Sequence, residues 1–175
     1  MARIMCTQKL WRALGQPGQP PRIVEEPRLH GAVLGAWAAK LFHHHRRGLV
    51  IALNERTYLT LVFPIAPRVR FRATFATSLG WALEDLGVST PAAEQEAAVI
   101  DFLPMARLTN RSMTGSLNDL EFLCCIELEY TTDLRRVQRN LNNVPHVHRE
   151  PYVPREAVAR VFAAEDERPT IRRPH

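Results

Sequence analysis

Between Leu34 and Pro64 the chain passes through three stretches of strand character separated by two tight turns, and no other segment limits the fold as much. Ala36 to His44 is predicted as the first strand. Its turn is Arg46-Arg47-Gly48, where glycine would supply a positive φ. Leu49 to Leu53 is apolar throughout, which predicts a central strand covered on both faces. Asn54-Glu55-Arg56 suits the second turn, and Thr57 to Phe63 alternates tolerably before Pro64 closes it.

The flanking segments set the fold class. Ala2 to Cys6 reads as another short strand, followed by a short helix capped by Thr7 and ended by Gly15. Gln16 to Pro27 is proline-rich and reads as an exposed loop. Beyond Pro64 the apolar spacing becomes helical. Phe71, Phe75, Leu79, Leu83 and Leu86 share one helix face, with Gly87 as its stop. Further helices are predicted from Thr90-Pro91 to Phe102, Leu117 to Tyr130, Asp133 to Leu141 and Arg155 to Ala164. Arg107 to Asn110 and Pro145 to Pro154 read as extended pieces. Segregated strands and helices indicate α+β: a small antiparallel sheet of about four strands packed by roughly four to six helices. One domain over 1–164 and a disordered charged tail over 165–175 are expected.

Composition narrows the class further. No run approaches the ~18 apolar residues of a membrane span. The opening Met1-Ala2-Arg3-Ile4-Met5-Cys6 lacks the apolar core of a secretory signal. Cys6, Cys124 and Cys125 show no C-x-x-C spacing, so neither a disulfide framework nor a zinc ribbon is expected. A reducing cytoplasm is the expected setting. The formal charge is +5, and Lys9 and Lys40 are the only lysines. Arginine-rich coding in a GC-rich genome produces the same bias, so it is not by itself a phosphate-binding signal. A mildly basic chain still attracts nucleic acid or acidic partners.

One polar run stands out: Thr109-Asn110-Arg111-Ser112-Met113-Thr114-Gly115-Ser116-Leu117-Asn118-Asp119, directly before the apolar Leu120 to Ile126. Ser116 and Asp119 match a capping box, with serine as cap and aspartate reaching back to its amide. That reading leaves Asn110, Arg111, Ser112 and Asn118 unexplained. The alternative is an anion site, with helix-start amides, hydroxyls and Arg111 facing a phosphate or carboxylate.

Met1 to about Phe162 resembles an uncharacterised bacterial domain family, a domain of unknown function. The likeness lies in Ile4-Met5-Cys6-Thr7-Gln8-Lys9-Leu10, Trp37-Ala38-Ala39-Lys40-Leu41 with Arg46-Arg47, and Asn54-Glu55-Arg56-Thr57. Its most specific part is the N-R-S-x-x-G-S-x-N-D motif from Asn110 to Asp119. The chain departs from the family pattern at His43-His44-His45, where an acidic residue usually precedes the arginine pair. The resemblance implies no activity, and it favours a role for the central motif beyond capping.

Two other constellations carry chemistry. His43 and His45 would share one strand face and, with His146 and His148, are weak candidates for a metal site. Solvated histidines at a hairpin are the plainer alternative, and Arg46 and Arg47 are then the anion contacts. Arg68, Arg70, Arg72, Arg135, Arg136, Arg139, Arg149, Arg155 and Arg160 form a basic surface without a defined nucleic-acid motif. Its plain alternative is a solvated face paired with Glu127, Glu129, Asp133, Glu150 and Glu156. Cys124 and Cys125 read as core, and Trp11, Trp37 and Trp81 as core or sheet-packing residues. No phosphate loop, dinucleotide fingerprint or nucleophile elbow is present.

The leading expectation is therefore a binding module for a phosphate-bearing ligand, nucleic acid included. Arg111 and Ser112 would contact the anion, with Ser116 and Asn118 beside them and Asn54 and Thr57 approaching from the sheet. A small hydrolase or nuclease is the second reading, using Asn118 and Asp119 with a divalent ion or a histidine base from His43 to His45. A protein-interaction component, such as a toxin–antitoxin or mobile-element accessory protein, is the third.

Overall fold

The computed structural model describes residues 2–15, 32–146 and 153–166. Within them the strands are β1 (Ile4–Cys6), β2 (Trp37–His44), β3 (Arg47–Asn54), β4 (Thr60–Pro64) and β5 (Met105–Arg107). The α-helices are α1 (Gln8–Ala13), α2 (Phe71–Asp85), α3 (Thr90–Val99), α4 (Arg111–Tyr130), α5 (Leu134–Leu141) and α6 (Pro154–Asp166). The α+β expectation holds in class, and the sheet differs in detail. Its five strands run in the order β4-β3-β2-β1-β5. Strands β2, β3 and β4 form the expected antiparallel meander. Strand β1 lies parallel to both β2 and β5, so the sheet is mixed. Parallel neighbours need long crossovers, and the segments from Cys6 to Trp37 and from Pro64 to Met105 supply them.

The β2–β3 turn is also displaced from its expected place. His44 pairs with Arg47, leaving His45 and Arg46 as a two-residue loop with φ of 44° and 66°. Left-handed φ at both positions matches the twist of the flanking strands. Gly48 therefore lies in β3, opposite His43. It is needed for another reason: a Cβ there would sit 2.7 Å from Ile65 Cγ2.

Alternation along the strands divides the core. Trp37, Ala39 and Leu41 of β2, with Val50, Ala52, Leu61 and Phe63, face α1, α2, α3 and α6. Trp37 meets Phe75 of α2 edge-on at 5.3 Å. Ala38 and Phe42 of β2, with Leu49, Ile51, Leu53 and Val62, face α4 and α5. The sheet is thus covered on both sides, as the apolar run Leu49 to Leu53 requires.

Helix α5 also closes the open edge of β4. Asn142, just past its end, takes the Thr60 amide on Oδ1 at 2.7 Å and donates Nδ2 to the Thr60 carbonyl at 2.8 Å. Gln138 Oε1 accepts from the Val62 amide at 3.0 Å and from Ser78 Oγ at 2.7 Å. These side chains stand where a sixth strand would pair, and so remove an edge that invites association.

Helix α6 reaches Asp166, so the start of the expected tail is helical. The rest of that tail, the Gln16–Pro27 loop and most of Pro145–Pro154 lie outside the described residues. No helix among the described residues is long and apolar enough to cross a membrane.

Candidate functional site

Strands β1 and β5 pair Ile4 with Met105 and Cys6 with Arg107, so the chain leaves both at the same end of the sheet. Just beyond, the Leu108 amide donates to the Cys6 carbonyl at 2.8 Å and the Thr7 amide to the Ala39 carbonyl at 2.9 Å. Helices α1 and α4 start directly after these bonds. The tip of the β2–β3 hairpin rises from the same end. Among the described residues, this end of the sheet therefore gathers the exposed cations Lys9, Arg46, Arg47, Arg107 and Arg111. No carboxylate of the described residues forms an ion pair with any of them.

The central motif is where these cations meet a helix start, and its geometry corrects the expected capping box. Asn110 is the cap of α4, and its Oδ1 accepts from the Met113 amide at 3.2 Å. Ser116 and Asp119 lie inside the helix. The reason is burial. Met113, Leu117, Leu120, Cys124 and Leu128 form one buried face, and the helix extends back through Gly115 to include Met113. Arg111 and Ser112 are then the first two helical residues, both exposed.

Asn118 has a structural partner. Its Oδ1 accepts from Lys40 Nζ, and the same ammonium pairs with Glu121. Lys40 projects from β2 toward α4, one residue on from Ala39, which faces the other layer. A divalent ion on Asn118 and Asp119 would have to share this corner with a lysine, which tells against that arrangement.

Asn54 and Thr57 are likewise engaged elsewhere. Asn54 is fully buried, and its Nδ2 donates to the carbonyls of Leu34 and Ala36, both at 3.1 Å. Its Oδ1 accepts from the amides of Arg56 and Thr57 and from Thr57 Oγ1. Thr57 Oγ1 in turn accepts from the Leu59 amide at 3.2 Å. This closed network shapes the β3–β4 loop, where Tyr58 takes a φ of 58°. No hydrogen bond joins either residue to Arg111 or Ser112, so the expected approach from the sheet is not seen.

The histidines regroup. His43 faces α1, with Nδ1 3.2 Å from Lys9 Nζ, so it does not share a face with the other candidates. His146 stacks edge-on against Tyr58 at 4.9 Å, and His148 lies outside the described residues. His44 and His45 instead converge on Glu129 of α4.

Three arginines of the basic surface, Arg72, Arg135 and Arg139, are tied down. Arg135 forks onto Asp85 at 2.8 and 3.1 Å, and its guanidinium lies 5.8 Å from the Trp81 ring centroid. This pairing holds the Asp85 carboxyl below the usual carboxylate range. Its partners Glu84 and Asp85 come from α2, not from the nearby acids expected from the sequence. Trp81 is half-exposed beside them rather than core. Arg72 donates to the carbonyls of Ile100 and Leu103, a structural role. Cys6 and Cys124 are buried, and burial pushes both thiols up to about 12, which removes them as nucleophiles.

Nothing local in the sequence marks Lys9, Arg107 or Glu129 as a site residue. Parallel pairing of β1 with β5 brings the first two to the site, and a helix crossing the sheet brings the third to His44. Neither relation leaves a local spacing to read.

A family model described as Domain of unknown function (DUF6933) matches residues 3–157 of the chain. No curated protein matches it.

Proposed function

The chain belongs to the DUF6933 family, and we propose that it binds a phosphate-bearing ligand at the carboxyl end of β1 and β5, with nucleic acid as the polymeric case. The observation that supports this most is the charge at the start of α4. The first turn holds Arg111 and no acidic residue. A cation there opposes the helix dipole and costs about 0.3–1 kcal/mol. The first turn of α1 repeats the arrangement with Lys9 and no acid.

An anion between the two helix starts turns this cost into a gain. The first amides of a helix have no partner within it. That of Met113 is met by Asn110, and those of Arg111 and Ser112 would donate to the bound anion. Arg111 then supplies a fork to two phosphate oxygens, and Ser112 a hydroxyl. Lys9, Arg46, Arg47 and Arg107 extend the positive field along the sheet end, a length suited to a phosphodiester chain.

Titrating labelled single-stranded oligonucleotide at several salt concentrations tests the reading. Affinity should fall with salt at a slope of about −0.7 per phosphate contacted. Binding of pyrophosphate alone would narrow the ligand to a small molecule. Failure of both ligands at low salt removes the proposal.

A further inference from the structure

Neighbouring residues of a strand point to opposite faces. His43 and His44 obey this, one facing α1 and the other α4. His45 does not continue the alternation, because its φ of 44° belongs to the left-handed turn. That conformation brings its ring beside that of His44, with centroids 4.2 Å apart. Both imidazoles then converge on one carboxylate oxygen. His44 Nε2 lies 3.5 Å and His45 Nε2 3.3 Å from Glu129 Oε1.

We infer that His44, His45 and Glu129 form a binding site for a zinc-class divalent cation. The two separations are longer than the ~2.7–3.2 Å of ordinary N–H···O hydrogen bonds. They match the edge of a tetrahedron of ligands: with metal–ligand bonds of ~2.0–2.1 Å, neighbouring donors stand about 3.3–3.4 Å apart. The three donor atoms all lie within 4.8 Å of one another, so side-chain rotation completes the set.

A second observation comes from His44 itself. Its side chain is only 12% exposed, and its Nε2 is buried without a hydrogen-bond partner. A buried polar atom left in this state destabilises the fold, and a metal bond satisfies it. Two imidazoles and one carboxylate suit zinc, nickel or copper rather than calcium or magnesium. His45 and Glu129 are 73% and 57% exposed, which leaves the fourth position open to water. Arg46, in the turn, and Arg47, just after it, are exposed, so the high dielectric of water weakens their repulsion of the ion. The bound ion would tie the hairpin to α4, independently of any anion at the sheet end.

The test uses the full chain stripped with a chelator. It is titrated with Zn2+ by calorimetry and with Co2+ by visible absorption. One ion per chain and the intense visible bands of tetrahedral Co2+ are expected. Glu129→Gln, on the exposed helix end, should weaken binding by about tenfold or more. His45→Asn should do the same while keeping a residue that tolerates the left-handed turn. His43→Ala and Cys125→Ser should bind as wild type. Absence of binding, binding unchanged in both ligand variants, or loss in Cys125→Ser would each overturn the assignment.

Discussion

Asn110 Oδ1 accepts the amide hydrogen of Met113 at 3.2 Å, and this bond fixes where α4 begins. Everything proposed for the sheet end depends on that starting point, because it makes Arg111 the first helical residue instead of a loop residue.

Loss of the Asn110 cap should be measurable. Asn110→Ala is expected to cost about 1 kcal/mol, read as a lower denaturant midpoint with an unchanged slope. Ser116→Ala, inside the helix, should change stability by only a few tenths. The reverse order would restore the capping box at Ser116.

Gly115 offers a gain. It is a helical glycine with open space where a Cβ would be. Gly115→Ala should raise stability by about 0.5–1 kcal/mol in thermal melts. No gain would mean that a neighbour or ligand occupies that space.

Gly48 should behave oppositely. A Cβ placed 2.7 Å from Ile65 Cγ2 forces the β-branched side chain or the strand to move. Gly48→Ala is expected to cost about 1–3 kcal/mol. Combining it with Ile65→Ala should recover part of that loss, and strict additivity would contradict the clash.

Asp85 and Arg135 give a pH dependence. The folded pKa of Asp85 is lowered by Arg135, so the stabilisation is present above the unfolded value of ~3.9 and fades as pH falls through the lowered folded value. Asp85→Asn should therefore melt below wild type at neutral pH, by about 0.2–1 kcal/mol once solvent screening at the part-exposed Arg135 is counted. The two melting curves should converge in strong acid, and a gap that stays constant with pH would rule out the ion pair.

The sequence made some of this legible and hid the rest for physical reasons. The β2–β3–β4 meander and α2, whose following Gly87 takes a φ of 81°, could be read because their signals are local. Strands β1 and β5 are three residues each, too short for a periodic pattern, and their parallel pairing is set by distant segments. The start of α4 was hidden because Ser116 and Asp119 imitate a cap, whereas the buried face that extends the helix gains only Met113 before Leu117. Arg111 and Ser112 stand out in the sequence and are exposed at the helix start. Asn54 and Thr57 stand out as well, but polar residues that build a turn look the same in sequence as polar residues that await a ligand.

The most direct test of the central claim is the anisotropy of a labelled single-stranded oligonucleotide titrated with wild type, Arg111→Ala and Arg139→Ala across a salt series. Arg111→Ala should bind more weakly with every sequence, with the salt slope reduced by about one. Arg139→Ala, whose guanidinium already pairs with Asp85, should match wild type. An Arg111→Ala isotherm that superimposes on wild type at every salt concentration would contradict the account.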